Sequence, residues 1–473
     1  MLEYGMSYEI HPDRTQTFVF PPALDDWIPP DHPARFVAEF VDSLDVASMG
    51  FKVGHAPTGR PSYSAHLLLA VYCYCYFNRI RSFRAMERAC LENVAVMWLT
   101  GLERPDHNSL WRFWRDNRKQ LREVLKQSVQ LAGTLGLVAM VLHAVDGTKI
   151  QAAASMKTAK VRSLLEAALK RVGKSIDDME ASLEDSADEQ LDGFRLPEEL
   201  ADARKRKDAI QRSLLALDEA GTNTLNPNDP DARVMKCSGK QQLGYNAQAV
   251  ADESGIVVGA EVVPNENDHG LLSTMIENVR ETAGMTAADT LADKGYSSAE
   301  DLGRAEEKGL PVLVNLPRNV APPDGTSPFH ASRFRYDAER DCCICPLGCE
   351  LKFQRARKSR RGVAIRVYHC AGYRDCPMRD QCSSNKRGRI IELSNRHLAV
   401  ENQRQKHKEP GAKAKLARRG VMIEPVFATV KEVLGFRRWS FRGLDNVRTQ
   451  WLLTCAVINL RKLYPVWRAN LVT

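Results

Sequence analysis

"DTLADKGYSS", residues Asp289 to Ser298, carries the reading on which the fold of this chain turns. A short strand-like run, Thr290 to Ala292, stops at an acid, Asp293, and Lys-Gly-Tyr follows at once. Taken alone, such a tetrad closes a strand and turns on its glycine, Gly295. The same grammar recurs upstream. In "LVAMVLHAVDGTKI" a mostly apolar run, Leu137 to Val145, ends at Asp146 with Gly147 behind it, so a second strand is expected to terminate on a carboxylate. Between the two, Gly244 to Val263 reads as a hairpin joined by Asp252-Glu253-Ser254-Gly255, and Leu271 to Thr282 as a helix. A helix near Ala299 to Lys308 and a short strand in "PVLVNLP" follow. Strand, hairpin, helix, strand, helix and strand make an α/β core with mixed strand directions.

The chain of 473 residues is 44% hydrophobic and 27% charged, an ordinary globular composition. The polar, acid-bearing "MLEYGMSYEIHPDRT" does not read as a signal or transit peptide. The longest apolar run, Leu67 to Phe77, is 11 residues, short of the roughly 20 that span a bilayer. A cytoplasmic protein with no membrane partner is expected, and there its 12 cysteines should be thiols or metal ligands. Charge is unevenly placed. The window Leu351 to Gly420 holds 20 Lys and Arg against five Asp and Glu, an excess of +15, so the rest of a chain of net +8 sums to −7. Such a concentration is a footprint for a polyanion, and nucleic acid is the expected partner.

The amino-terminal part reads as helical. A short amphipathic helix ends near Asp45, and Gly59 to Gly101 gives two or three packed helices with basic edges. Further on, Leu121, Val124, Leu125, Ser128 and Ala132 fall on one helical face. Arg112, Arg115 and Arg118 recur every three residues with Trp111 and Trp114 between them, which suits either a phosphate-contacting helix or an exposed basic face over a tryptophan core. Lys157 to Gly221 is helical and charged, with 11 acids against Arg195 alone in Asp177 to Asp202; it reads as an antiparallel helical excursion broken near Gly193 and Pro197. Cys73, Cys75, Cys90 and Cys455 lie in apolar helical runs and belong to the core.

Asp146 and Asp293 end strands of one core, and a third acid, Glu424, stands in "RRGVMIEPVFATVKEVLGFRRWSFRGL". Carboxylates held together without partners cannot all stay ionised cheaply, and divalent cations resolve that repulsion. Oxygen ligands suit Mg²⁺ or Mn²⁺, and a pair of such ions about 4 Å apart serves phosphoryl transfer. A second metal is expected elsewhere. Cys342, Cys343, Cys345, Cys349, Cys370, Cys376 and Cys382 put seven cysteines in 41 residues, which points to a tetrahedral structural Zn²⁺. Cys345, Cys370, Cys376 and Cys382 are the chosen ligands, with Cys342, Cys349 and His369 as substitutes; free thiols are the alternative. A folded module there would present Arg355, Arg357, Lys358, Arg360 and Arg361 to DNA backbone, a salt-dependent contact without sequence preference.

The blocks "VDGTKIQAAAS", "LADKGYSS" and "IEPVFATVKEVLGFRRWSFRGLDNVRTQWLLTCAVINLRKL" resemble the three acidic motifs of bacterial insertion-sequence transposases of the DDE type, in the branch with a cysteine-rich insertion before its glutamate. "GRPSYSAHLLLAVYCYCYFNRIRSFRAMERACLENVAVMWLTG" and "PDHNSLWRF" are similar to that family's helical amino-terminal domain. The resemblance implies an RNase H-like catalytic fold, a mixed sheet flanked by helices, with Asp146 on its first strand, Asp293 after its fourth and Glu424 on a late helix. It implies the three acids as catalytic Mg²⁺ or Mn²⁺ ligands. Arg419 and Lys431 match the basic companions of the glutamate, and Arg437 and Arg438 join Arg112 and Arg115 as candidate DNA contacts.

Two departures stand out. Leu416 occupies the place of an aromatic often found upstream of the arginine. Pro425 directly follows Glu424, and because a residue before proline is biased away from the α region, a helix starting at Pro425 is expected. The organisation implied is a helical DNA-binding domain over 1–136, a catalytic domain over 137–335 with 418–473, the charged helical insertion 157–221 inside it, and the cysteine-rich basic insertion 336–417. The function implied is cleavage at the ends of a mobile element and joining to double-stranded target DNA, by a homodimer at the bacterial nucleoid. The rival readings are a retired transposase that only binds DNA and an RNase H-like nuclease without strand transfer.

Overall fold

The computed structural model describes residues 23–52, 62–185, 198–317, 327–358, 364–394 and 396–471. The predicted break near Gly193 and Pro197 and the predicted DNA contacts Arg360 and Arg361 lie outside the described residues. Two compact units emerge, Met1–Asn117 with Tyr464–Thr473, and Arg118–Leu463.

In the first unit, helices span Pro33–Asp42, Ala65–Phe77, Phe83–Glu92, Val94–Thr100 and His107–Asp116. Four of them start on a residue whose side chain takes a backbone N–H three positions on: Ser64 from Leu67, Ser82 from Ala85, Asn93 from Val96 and Asp106 from Ser109. Each such cap contributes about 1 kcal/mol. The core forms around Tyr72, whose hydroxyl donates to Leu110 O at 2.9 Å and whose ring packs on Phe113 and Trp114. Trp114 is fully buried and Trp111 stands at the rim, which leaves Arg112 and Arg115 on the outer face.

The second unit is built on a six-stranded mixed sheet. Its strands are β1 (Leu142–Gln151), β2 (Arg233–Cys237), β3 (Lys240–Asp252), β4 (Val257–Val263), β5 (Asp289–Ala292) and β6 (Val312–Val314). β3 is the spine. Residues 243–252 are buried without alternation, as expected of a strand covered on both faces. It pairs antiparallel with β1, with β4, and with β2 through the two-residue turn Ser238-Gly239, both at positive φ. On the far side of β1, β5 and then β6 add in parallel. The helices Leu272–Ala283 and Ala299–Glu307 and the strand Asp289–Ala292 match the sequence reading to within a residue, and the hairpin forms with its turn as read but with a first strand that starts at Lys240, four residues before Gly244.

One expectation fails here. β1 does not stop at Asp146 but begins at Leu142 and runs on to Gln151. The cause is its partner: β3 supplies ladder bonds as far as Gln151↔Gly244, so the backbone polar groups past Asp146 are satisfied in the strand.

The helix Leu444–Asn470 docks by buried polar contacts. Asn459 exchanges bonds of 2.7 and 2.9 Å with the backbone of Val257, and Trp451 Nε1 donates to Gln248 O at 2.7 Å. Ahead of it, "GFRRW" returns to the end of β1: Trp439 N donates to Gln151 O at 2.9 Å and its indole to Ile150 O at 3.2 Å. Helices Arg162–Asp185 and Glu198–Glu219 run antiparallel, tied by Arg162–Asp218 at one end and Arg204–Glu180 toward the other. Residues 335–394 form a separate five-stranded antiparallel sheet over a small core of Phe334, Cys343, Leu351, Tyr368 and Ile391.

Candidate active site

Parallel pairing is what brings the two aspartates together. Val145 on β1 lies opposite Ala292 on β5, so Asp146, the next residue within β1, comes beside Asp293, which follows the last residue of β5, on strands about 4.8 Å apart. Asp293 closes β5 and accepts Gly295 N–H at 2.7 Å, starting the single turn Lys294–Tyr296. Asp146 accepts Gly147 N–H at 2.8 Å on one oxygen and Arg419 Nη1 at 2.8 Å on the other. Burial raises the Asp146 carboxyl above the usual carboxylate range, against Arg419 and the Gly147 N–H, and the charge of Asp293 pushes the same way as burial.

A third carboxylate joins this pair, and the sequence reading missed it. Asp268, in the loop after β4, accepts Asn246 Nδ2 at 2.8 Å and Gln248 Nε2 at 2.7 Å. The Tyr296 hydroxyl in turn donates to Gln248 Oε1. Burial, and then the charges of Asp268, Asp146 and Asp293, hold the Tyr296 phenol well above its ordinary value, so it stays a donor. No spacing signal marks Asp268: it ends no apolar strand, and only the tertiary fold turns its loop toward β1 and β5.

Glu424 is placed differently. The helix Ala412–Ala428 runs straight through Pro425, against the expectation of a start there. Proline is tolerated because the residue four before it, Val421, lies on the solvent face at 78% exposed, so the carbonyl that loses its N–H partner can be hydrated. Glu424 is exposed and turned back over Gly420 of its own helix. Its carboxylate makes no hydrogen bond or ion pair among the described residues. Five residues from Arg419 it points about 140° around the helix from the side chain that reaches Asp146.

The predicted basic residues divide by use. Arg419 is tied to Asp146, with both side chains mostly covered (16% and 23% exposed). Lys431 falls in a π-turn, Thr429–Val433, so the seven residues from Glu424 no longer amount to two α turns. Its charge, with that of Lys149, acts on Cys237. Arg438 holds Ala152 O and Ala153 O at 3.2 and 2.6 Å beyond β1, and Arg437 pairs with Glu432 on the surface. Arg115 pairs with Asp116, while Arg112 is exposed and, among the described residues, bonds within its own helix, to Asn108 O and Ser109 Oγ.

Residues 344–464 match the family model described as a transposase DDE domain, and residues 22–116 match a second transposase domain, DUF772. The two matches support a DDE-type insertion-sequence transposase. No curated protein and no solved structure matches it. In this chain the DDE match contains Glu424, Arg419 and Lys431, and the paired aspartates lie on strands before it. The α/β fold, with a helical amino-terminal region and a mixed sheet, is consistent with the family. No helix among the described residues is long and apolar enough to cross a membrane.

The same match begins at the cysteine-rich segment. Cys342 and Cys343 are buried in its sheet, and burial pushes the Cys343 thiol up to about 12. The other five, Cys345, Cys349, Cys370, Cys376 and Cys382, line one cavity of about 310 Å³. Cys345 and Cys349 enclose a tight loop: Leu347 N–H and Cys349 N–H both point at Cys345 Sγ at 3.3 Å, and Gly348 takes φ 85°. Burial raises Cys370 first, with the neighbouring sulfurs of Cys345, Cys376 and Cys382 adding to it. His369 faces elsewhere, bonded to Arg387 O. Among the described residues, no three His, Cys, Asp or Glu side chains stand in an arrangement that holds a metal ion as they are.

Proposed function

We propose that this chain is a DNA transposase that binds the ends of an insertion sequence and catalyses metal-dependent strand cleavage and strand transfer. The observation that carries the reading is the meeting of Asp146, within β1, and Asp293, at the end of β5, 147 residues apart in sequence, through the parallel pairing of the two strands, in a chain that matches two transposase domains. Their sheet, in which the antiparallel strands β2, β3, β4 and β1 are continued by the parallel β5 and β6, supports an RNase H-like core.

The donor set suits Mg²⁺ or Mn²⁺: oxygens only, with one guanidinium against several carboxylates. Asp146 and Asp293 would hold the ion, with Glu424 as third ligand by resemblance. When bound, such ions activate an attacking water or 3′-hydroxyl and stabilise the leaving oxygen. The chain's own residues do the positioning. The β1–β5 pairing fixes the two carboxylates side by side, and the turn Lys294–Tyr296 orients Asp293.

The helical domain over 1–136 would read the element ends, with the exposed Arg112 as a basic contact. Arg437, the exposed Lys294 and the cysteine-rich insertion would meet backbone phosphates, in a homodimer that pairs two ends. The five-cysteine cavity we read as the site of a structural Zn²⁺, closed by Cys345, Cys370, Cys376 and Cys382, or with Cys349 in place of one.

Replacement of Asp293 by Asn tests the reading. Binding to an end-containing duplex should persist and strand cleavage should vanish; cleavage at the wild-type rate would sink the assignment. Strand transfer by the wild-type protein from pre-cleaved ends separates a transposase from a nuclease that only cuts.

A further inference from the structure

The glycines that follow the paired aspartates face one and the same carboxylate. A β-carbon on Gly147 would overlap Gln248 Nε2 and stand 2.8 Å from Asp268 Oδ1. One on Gly295 would stand 3.1 Å from Asp268 Oδ2 and 2.8 Å from Asp293 Oδ1. Neither glycine is at positive φ, so the backbone does not demand glycine at these positions. What both supply is room: Gln248 comes nearest at Gly147 and Asp293 at Gly295, and Asp268 borders both.

Asp268 is fixed from several sides. Its Oδ1 takes the amides of Asn246 and Gln248, both buried. Gln248 cannot flip without losing two bonds, because its Oε1 is held by the hydroxyl of Tyr296, the last residue of the Asp293 turn. The loop itself is pinned through Gly270 N, which donates to buried Asp301 at 2.8 Å, and Leu272 N, which reaches the same carboxylate. A negative charge held this firmly beside two others is unfavourable unless a positive charge offsets all three, and the guanidinium that reaches this group among the described residues, Arg419, is bonded to Asp146.

We propose that Asp268 is a positioning residue of the divalent-cation site: it stands behind Asp146 and Asp293, and its fixed charge strengthens their hold on the ion. Gly147, Gly295, Gln248 and Tyr296 serve to admit and orient it. The inference rests on the reading of Asp146 and Asp293 as cation ligands. Asp268→Asn is the informative change, since the amide oxygen can still accept from Asn246 and Gln248, so shape survives while the charge goes.

Binding of Mn²⁺ to the full-length protein, followed by the loss of the free-ion electron paramagnetic resonance signal, measures the effect without relying on turnover. D268N is expected to weaken Mn²⁺ binding roughly tenfold, the scale of one charge removed from beside a divalent ion at a partly solvated site. The Mg²⁺ concentration for half-maximal strand cleavage should rise in parallel, with end binding unchanged and ion-free melting no lower than in the wild type, since one of three crowded negative charges is gone. Unaltered Mn²⁺ affinity in D268N, beside a D293N protein that no longer binds the ion, overturns this role alone. Weakened affinity in D268A but not in D268N also overturns it, because packing rather than charge would then be responsible. Wild-type Mn²⁺ binding by D293N overturns both this role and the active-site reading beneath it.

Discussion

Replacing Arg419 with Gln separates two roles for one side chain: companion of a DNA phosphate, as the resemblance implies, or partner of Asp146, as the fold shows. The pair is 2.8 Å apart with its side chains 16% and 23% exposed. It therefore lies between a surface bridge, worth about 0–1 kcal/mol, and a buried one, whose breaking costs about 3–5 kcal/mol. A loss of about 2 kcal/mol is expected for R419Q at neutral pH, where Asp146 would carry an unpaired charge beside Asp293. The pH dependence has a definite sign. Burial already holds the Asp146 carboxyl above its unfolded value, and removing Arg419 pushes it higher. A carboxyl raised on folding binds more protons when folded, so its contribution is present at low pH and lost as pH rises through the raised value. The R419Q deficit should accordingly be full at neutral pH and close as pH falls below the ordinary carboxylate range. Melting scans of both proteins between those limits give the stability arm, and end-duplex binding against salt gives the DNA arm. Unchanged melting at neutral pH, together with a salt slope reduced by about one, would refute the ion pair and return Arg419 to the phosphates.

Three further outcomes are expected. Proline inside a helix costs about 3 kcal/mol against alanine, so Pro425→Ala should stabilise the protein by roughly 1–3 kcal/mol by urea titration; a neutral or negative effect would mean that the helix begins at Pro425. Gly295→Ala puts a β-carbon against Asp293 and Asp268, at a cost of about 1–3 kcal/mol, and should abolish cleavage with circular dichroism unchanged; wild-type cleavage would contradict the packing of that turn. Elemental analysis should find one zinc per chain in the wild-type protein and in C342S, and none in a C345S/C370S double variant; equal zinc in all three would exclude the cavity.

The sequence by itself determined the local elements of this protein and the residues that can end them. Asp293 closing β5, the Gly244–Val263 hairpin and the buried cysteines of the apolar helices follow from periodicity, turn chemistry and burial, which act over a few residues. Resemblance added the acids and their companions. What the chain could not show was what depends on partners far away in it. β1 continues past Asp146 because β3 bonds to it, and the helix continues through Pro425 because its outer face is hydrated. Asp146 and Asp293 become neighbours through the parallel pairing of β1 with β5. Asp268, with no mark in the sequence, enters the site because loop, amides and glycines from four segments converge there. Only the tertiary structure decides such contacts, because hydrogen bonds and charges act across space and leave no period along the chain.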